Sequence, residues 1–250
     1  MKLYAGMLLG PRSRQEDCLV IGDQILQEAQ LPITRITTNC LAGIAAISDG
    51  LGGAPDGNWI SHETCRFLSR LSNALAYCDT LPAILDALQD HLCKEAQTSR
   101  CGATLTGAIF RPDDHVTIVH LGDSRAYLKR SGQPLEQLTV DHTPVMDKVL
   151  AGELSRDDAQ THPMRNIVDL GVGPAFGPNW EGCDHSPQIT DVDLMHGDSL
   201  LITSDGLHTA VDHDTLDAFV GDFDPVRAED RFRSFSHLIE DNASIILMQA

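Results

Sequence analysis

Carboxylates recur in this chain where apolar, strand-like runs begin or end. Glu16-Asp17 follows Gly10-Pro11-Arg12, Asp49-Gly50 closes the run from Leu41 to Ser48, Asp205-Gly206 closes the run from Leu200 to Ser204, and Asp241-Asn242 precedes Ser244 to Met248. A carboxylate at a strand end is held by a rigid sheet yet opens onto solvent. Several converging there cannot all stay ionised without a cation among them. The implied chemistry is that of a divalent-metal site, with magnesium or manganese the best fit to oxygen ligands.

The elements that must position these groups follow from the apolar periodicity. Strand-like stretches are expected at 3–9, 18–22, 37–47, 103–111, 116–121, 125–129, 189–195, 199–203 and 244–248. Trp59, Ile60, Phe67, Leu68, Leu71 and Leu75 form one stripe of a helix from about Asn58 to Ala76. Thr80 caps a second helix, with Pro82 in its first turn and Ile84, Leu85, Leu88 and Leu92 on its buried face. The short Pro112-Asp113-Asp114-His115 turn makes the two strands around it a hairpin. Meandering strands with helices inserted between blocks give an α+β fold rather than a parallel doubly wound sheet.

Composition sets further limits. A chain of 250 residues, 42% hydrophobic and 5% aromatic, suits a single domain over 1–250 with an aliphatic core. No apolar run approaches the roughly 20 residues needed to span a bilayer, and the amino terminus reads as a first strand, so a soluble cytoplasmic protein is expected. The cysteines at 18, 40, 65, 78, 93, 101 and 183 form an odd set without a C-x-x-C pair, which speaks for reduced thiols over disulfides or a zinc site. A formal charge of −18 opposes nucleic acid and anionic membranes as partners.

Seven segments in order resemble the metal-dependent serine/threonine protein phosphatases called PPM or type 2C. They are Arg12-Ser-Arg-Gln15-Glu16-Asp17, Ser48-Asp49-Gly50-Leu51-Gly52-Gly53, Cys101-Gly-Ala-Thr104, Gly122-Asp123-Ser124-Arg125, Thr139-Val-Asp141-His142, Ser204-Asp205-Gly206-Leu207 and Asp241-Asn242-Ala-Ser244. An isolated Asp-Gly marks an ordinary turn; the order of all seven carries the resemblance. It implies a four-layer sandwich, two central antiparallel β-sheets flanked by α-helices, with a small helical flap at about 143–172 beside the active site. It also implies two Mn2+ or Mg2+ ions held by Asp49, Asp205 and Asp241. Asp49 bridges them, and the Gly50 carbonyl with Asp17 or Glu16 completes the shell directly or through water. On this resemblance Asp49 and Asp205 are the carboxylates on which catalysis depends, and a metal-activated water is the nucleophile.

The same resemblance makes Arg12 the phosphate-binding residue, with Arg14 a rival because strand alternation would put both on one face. Asp123 has two readings: a turn residue whose neighbour Arg125 pairs with a carboxylate, or a ligand, with Asp205, of a third, weaker metal. Asp141 and His142 are expected to organise the neighbouring loop. In the segment from Thr143 to Asn166, Gly152 ends one short helix and Ser155 with Asp158 caps the next, which makes it either the flap or a surface excursion. Leu51 stands where many eukaryotic members carry a histidine that protonates the leaving alkoxide, leaving a metal-bound water or His162 as substitutes. Ala103 replaces a threonine, a packing change.

The resulting expectation is a bacterial-type phosphatase of phosphoserine and phosphothreonine proteins, acting as a monomer opposite a serine/threonine kinase. Two other readings stand beside it: a phosphatase of an anti-sigma antagonist in a partner-switching system, and a catalytically silent phosphoprotein-binding module of the same fold.

Overall fold

The structure is a computed structural model and describes residues 1–37, 43–51, 56–77, 80–111 and 115–250. The strands are β1 (Lys2–Leu8), β2 (Asp17–Ile21), β3 (Gln24–Leu26), β4 (Gln30–Ile36), β5 (Gly43–Asp49), β6 (Leu105–Phe110), β7 (His115–Leu121), β8 (Arg125–Lys129), β9 (Leu135–Gln137), β10 (Gln188–Asp193), β11 (Ser199–Thr203) and β12 (Ala243–Gln249). The helices are α1 (Gly57–Leu75), α2 (Leu81–Glu95), α3 (Pro144–Leu150), α4 (Arg156–Gln160), α5 (Asp205–His208), α6 (His213–Gly221) and α7 (Pro225–Ser234).

Two six-stranded sheets result, ordered β4-β1-β12-β11-β8-β9 and β10-β7-β6-β5-β2-β3, and every pairing is antiparallel. Side chains alternate across a strand, so each central strand feeds two cores. In β12, Ile246 and Met248 pack between the sheets, while Ile245 and Leu247 pack with Leu216, Phe219 and Phe232 of α6 and α7. In β2 and β5, Leu19, Ile21, Ala45 and Ile47 face the other sheet. Cys18, Val20, Ile44 and Ala46 face Ile60, Leu68 and Leu75 of α1 and Leu85 and Leu88 of α2. Burial on both faces explains why these strands read as unbroken apolar runs. The layering is helix, sheet, sheet, helix, as the family resemblance implied.

Several sequence-based expectations are corrected. The stretch 37–47 does not form one strand: β4 ends at Ile36, β5 begins at Gly43, and Thr38 to Ala42, including Cys40, lie outside the described residues. Strands β3, β4 and β9 and helices α6 and α7 were not anticipated. β4 carries Pro32 and alternates half-buried with exposed positions at a sheet edge, where proline is tolerated. Pro112 to Asp114 and Cys78 also lie outside the described residues, yet the hairpin holds, with Phe110 opposite Val116. Helix α2 begins after Thr80 with Pro82 in its first turn, Ile84 packs half-buried against the core that holds Leu85, Leu88 and Leu92, and Gln89 joins the buried face. Gln89 Nε2 donates to the carbonyls of Gly173 and Gly177, and its Oε1 accepts from Gly173 N–H, tying the loop after residue 170 to α2. Cys18, Cys65 and Cys101 are buried free thiols, and Cys93 and Cys183 half-buried ones.

The helix pair after Thr143 forms as the sequence suggested. Thr143 Oγ1 accepts from Met146 N–H at the start of α3, Gly152 takes φ 73° after its end, and Ser155 Oγ accepts from Asp158 N–H to start α4. No described helix is long and apolar enough to cross a membrane.

Candidate metal centre

The two sheets deliver their acidic residues to one end. Asp49 is the last residue of β5 and Asp17 the first of β2, and antiparallel register sets them directly opposite each other. Like charges in such a cross-strand pair repel. The other sheet answers from β11 and β12: Ser204 and Ser244 donate their hydroxyls to Asp17 Oδ2 at 2.8 and 2.6 Å. Asp205 and Asp241 flank those serines in sequence, so the hydrogen bonds that join the sheets also gather the carboxylates. Asp17 Oδ1, fully buried, has no hydrogen-bond partner among the described residues. A buried oxygen without a donor costs about 1–3 kcal/mol unless a cation or water meets it.

Both Asp-Gly pairs need glycine for closeness rather than for turn geometry. A Cβ on Gly50 would overlap the backbone of Gly57 at the start of α1, and one on Gly206 would overlap the Asn242 carbonyl. Each glycine thus lets a second backbone cross beside an aspartate. Gly206→Ala is expected to lower the unfolding free energy by about 2–3 kcal/mol and to weaken metal binding by displacing Asp241-Asn242. Thermal melting with and without Mn2+ checks this; an unchanged melting temperature would show that the crossing yields at no cost.

Supporting contacts hold the remaining backbone. Asp49 N–H donates to Thr104 Oγ1 at 3.1 Å, Ser48 Oγ donates to the Thr104 carbonyl, and Thr104 Oγ1 shares a hydrogen bond with Ser124. Asn242 Oδ1 accepts from Glu16 N–H at 2.7 Å, while its Nδ2 donates to the carbonyls of Leu9 and Arg14. The Glu16 carbonyl accepts from Gly50 N–H and Ser61 Oγ. Ala103 exchanges backbone bonds with Val172 at 2.9 and 2.7 Å, joining the strand-end region to the segment after α4.

Electrostatics records the crowding. Burial raises the Asp49 carboxyl well above its ordinary range, and Asp17, Asp205, Asp123 and Asp241 raise it further. Asp17 is pushed up to about 7 by burial and by Asp205, against the lowering effect of the two serine hydroxyls. Burial and then Asp241 raise Asp205. Asp123 rises through burial, Asp205 and Asp141, with Arg125 opposing. Glu16 rises mainly through burial, and Arg12, Asp241 and Arg14 are its charged neighbours. Among the described residues no cationic side chain pairs with Asp17, Asp49 or Asp205 at the centre of this group. The donor set therefore fits divalent ions: hard oxygens, excess negative charge and one orphaned buried atom.

The two arginines part company. Residues 9–16 are not a strand, so the alternation that would align Arg12 with Arg14 does not operate. Arg12 forms an ion pair with Asp241, at the edge of the carboxylates, whereas Arg14 reaches Asn58 Oδ1 at the start of α1. Arg125 forms a two-pronged pair with Asp141 at 2.8 and 2.7 Å, and His142 Nδ1 accepts from Gly122 N–H, so Asp141 and His142 do organise the turn that carries Asp123. His162 Nδ1 accepts from Met164 N–H within its own turn. Gly52 and Gly53 lie outside the described residues.

Sequence reasoning missed His208. Its Nε2–H donates to the Asp123 carbonyl at 2.9 Å, and burial drives its imidazole down to about 3, so the ring is neutral. Its spacing after Asp205 was legible, but nothing local signals that α5 turns it toward Asp123.

Residues 30–239 match the family described as Protein phosphatase 2C. The chain belongs to that family. A serine/threonine protein phosphatase PstP of Mycobacterium tuberculosis is 31% identical over 183 residues, 70% of this chain but 34% of that protein. The chain thus spans about a third of that relative's length. A serine/threonine phosphatase stp of Listeria monocytogenes is 31% identical over 179 residues, 67% of this chain and 68% of its own. Among solved structures, the Mycobacterium tuberculosis phosphatase PstP/Ppp superposes with a TM-score of 0.77 at 24% identity, covering 100% of both chains. A PstP catalytic domain in complex with two manganese ions superposes at 0.70 with 22% identity, covering 98% of this chain and 97% of that one. For the type 2C chain described here, these likenesses agree with the two-sheet sandwich derived above.

Proposed function

We propose that this protein is a metal-dependent phosphoprotein phosphatase that hydrolyses phosphoserine and phosphothreonine. The observation that carries the reading is the convergence of Asp17, Asp49, Asp123, Asp205 and Asp241 at one end of the two sheets, with Arg12 at the rim. Membership of the type 2C family supports it, as do relatives named serine/threonine phosphatases.

In this reading Asp49, Asp205 and Asp241, with the Gly50 carbonyl, hold two Mn2+ or Mg2+ ions. Asp17 and Glu16 complete the shell directly or through water. Asp123 with Asp205 offers a third, weaker position. Bound there, divalent ions would supply an activated water at neutral pH and would offset charge on the phosphoryl group. The protein's own part is positioning: Ser204 and Ser244 fix Asp17, Thr104 fixes the Asp49 backbone, and Asn242 fixes the loop that carries Arg12 and Arg14. Arg12 exchanges its Asp241 partner for two substrate phosphate oxygens. Leu51 supplies no proton to the leaving alkoxide. The chain functions as a single catalytic domain and as a monomer in the cytoplasm, with the segment 143–172 as its flap, opposite a serine/threonine kinase.

The test is hydrolysis of a phosphothreonine peptide and of p-nitrophenyl phosphate with Mn2+, Mg2+, Ca2+ or chelator. Turnover that requires Mn2+ or Mg2+ and disappears in Asp205→Asn is expected. A folded protein inert with every metal would instead make it a binding module. In the same assay Arg12→Ala should lower kcat/KM by on the order of 100-fold, about 3 kcal/mol for a charge-assisted two-pronged contact. Arg14→Ala should change it far less, and equal losses would refute the assignment of the phosphate to Arg12.

A further inference from the structure

Away from this centre, three ligating side chains meet from three separate segments. Asp147 lies on α3, Asp169 on the stretch that returns from α4, and His185 in the loop before β10. One atom from each falls within 4.8 Å of the others. His185 Nε2 and Asp147 Oδ2 are hydrogen-bonded to each other at 3.2 Å, a contact that an ion would replace. Ligand atoms on a tetrahedral ion at about 2.1 Å stand about 3.4 Å from one another, so this pair already has the spacing of one coordination edge.

The group is not an ordinary acidic surface. Its third member is an imidazole, set by a ring contact outside the cluster: the His185 ring lies 5.2 Å from that of His142, which stacks on His120 at 4.7 Å. His142 is anchored in turn by Gly122 N–H and donates its own N–H to the Gly122 carbonyl. Among the described residues neither Asp147 nor Asp169 has a lysine or arginine ion pair. Two carboxylates with no arginine or lysine ion pair and one imidazole form a one-nitrogen, two-oxygen donor set. Such a set favours a borderline divalent ion over Mg2+ or Ca2+. With Asp147 47% exposed, a fourth position stays open to water.

We propose that Asp147, Asp169 and His185 form a second cation site, selective for Zn2+ or a similar borderline divalent ion, that fastens α3 and the segment after α4 to the loop before β10. Because the Asp169 N–H donates to the His142 carbonyl at 2.9 Å, the fastened segment is continuous with the turn that carries Asp123. The ion is a structural clasp and takes no part in hydrolysis.

The experiment separates this site from the central one by working in Asp49→Asn. Equilibrium dialysis against Zn2+ should show one more zinc per chain in Asp49→Asn than in Asp49→Asn/His185→Gln or Asp49→Asn/Asp169→Asn. Zinc at about 100 times its Kd should also slow tryptic cleavage at Arg165 by about 100-fold in the parent and not in the double variants. Asp147→Asn, at an exposed position, repeats the comparison where folding is not at stake. Equal zinc content in parent and variants, or cleavage at Arg165 indifferent to zinc, would overturn the proposal.

Discussion

Asp49→Asn is expected to cut Mn2+-dependent hydrolysis of a phosphothreonine peptide by on the order of 1,000-fold while making the chelated protein more stable. The two effects have one cause. Asp49 stands opposite Asp17 in the ladder and feels Asp17, Asp205, Asp123 and Asp241 at once, so it is the carboxylate most exposed to like charge. Without a cation its ionised form is unfavourable; an amide of the same shape removes that repulsion and can donate to Asp17 Oδ1, which otherwise lacks a partner. With a cation the balance reverses, because the residue that would touch both ions has lost its charge. Losing several kcal/mol of charge stabilisation corresponds to about three decades in rate. Peptide hydrolysis and thermal melting in chelator, on the same preparations, check both halves. A variant that is inactive but less stable than wild type in chelator would show that Asp49 is structural rather than frustrated.

Much of this was legible because the relevant signals are local. An aliphatic run ending in Ser-Asp-Gly can hardly be anything but a strand end, and β8 and β11 were placed to the residue. The helices that close the second outer layer were not. In α7 only Ala228 and Phe232 are buried in a segment otherwise rich in charge, and α6 offers Leu216, Phe219 and Val220 within nine residues. Their caps were the available clue: Asp212 accepts from Thr215 N–H, and Asp224 accepts from Val226 and Arg227 N–H just before Pro225 begins the helix. At the site, residue types were readable and directions were not. Arg12 was preferred to Arg14 through the family resemblance alone, because the strand period that would have set both on one face is not obeyed by the loop. Asp147, Asp169 and His185 had no spacing to read, since their meeting depends on how α3 and two later loops return to one place.

Metal binding should become stronger with pH, and the stability difference between metal-loaded and chelated protein should grow between about pH 4 and pH 7. In the chelated protein the folded-state Asp17 carboxyl titrates near 7 against about 4 when unfolded. Below the unfolded value both states are protonated and nothing is lost. As pH rises, the unfolded chain releases its proton first, so the folded state loses stability until pH passes about 7. A single such shift amounts to about 4 kcal/mol. The buried histidines oppose this. His120, His142 and His208, held down to about 4, 3 and 3, bind protons in the unfolded chain but not in the folded one as pH falls below about 6.5, so their contribution to stability is lost toward acid. A simple melting curve against pH would therefore show the two trends cancelling. Taking the difference between Mn2+-loaded and chelated protein largely removes the histidine contribution, which is common to both, and leaves the carboxylates, which must be deprotonated to hold an ion. The Mn2+-induced rise in melting temperature should be near zero at pH 4 and largest at pH 7 to 8, and Asp17→Asn should flatten its slope. A metal-induced rise of equal size at all pH values would mean that the strand-end carboxylates are already ionised, and that the frustration derived from their burial does not exist.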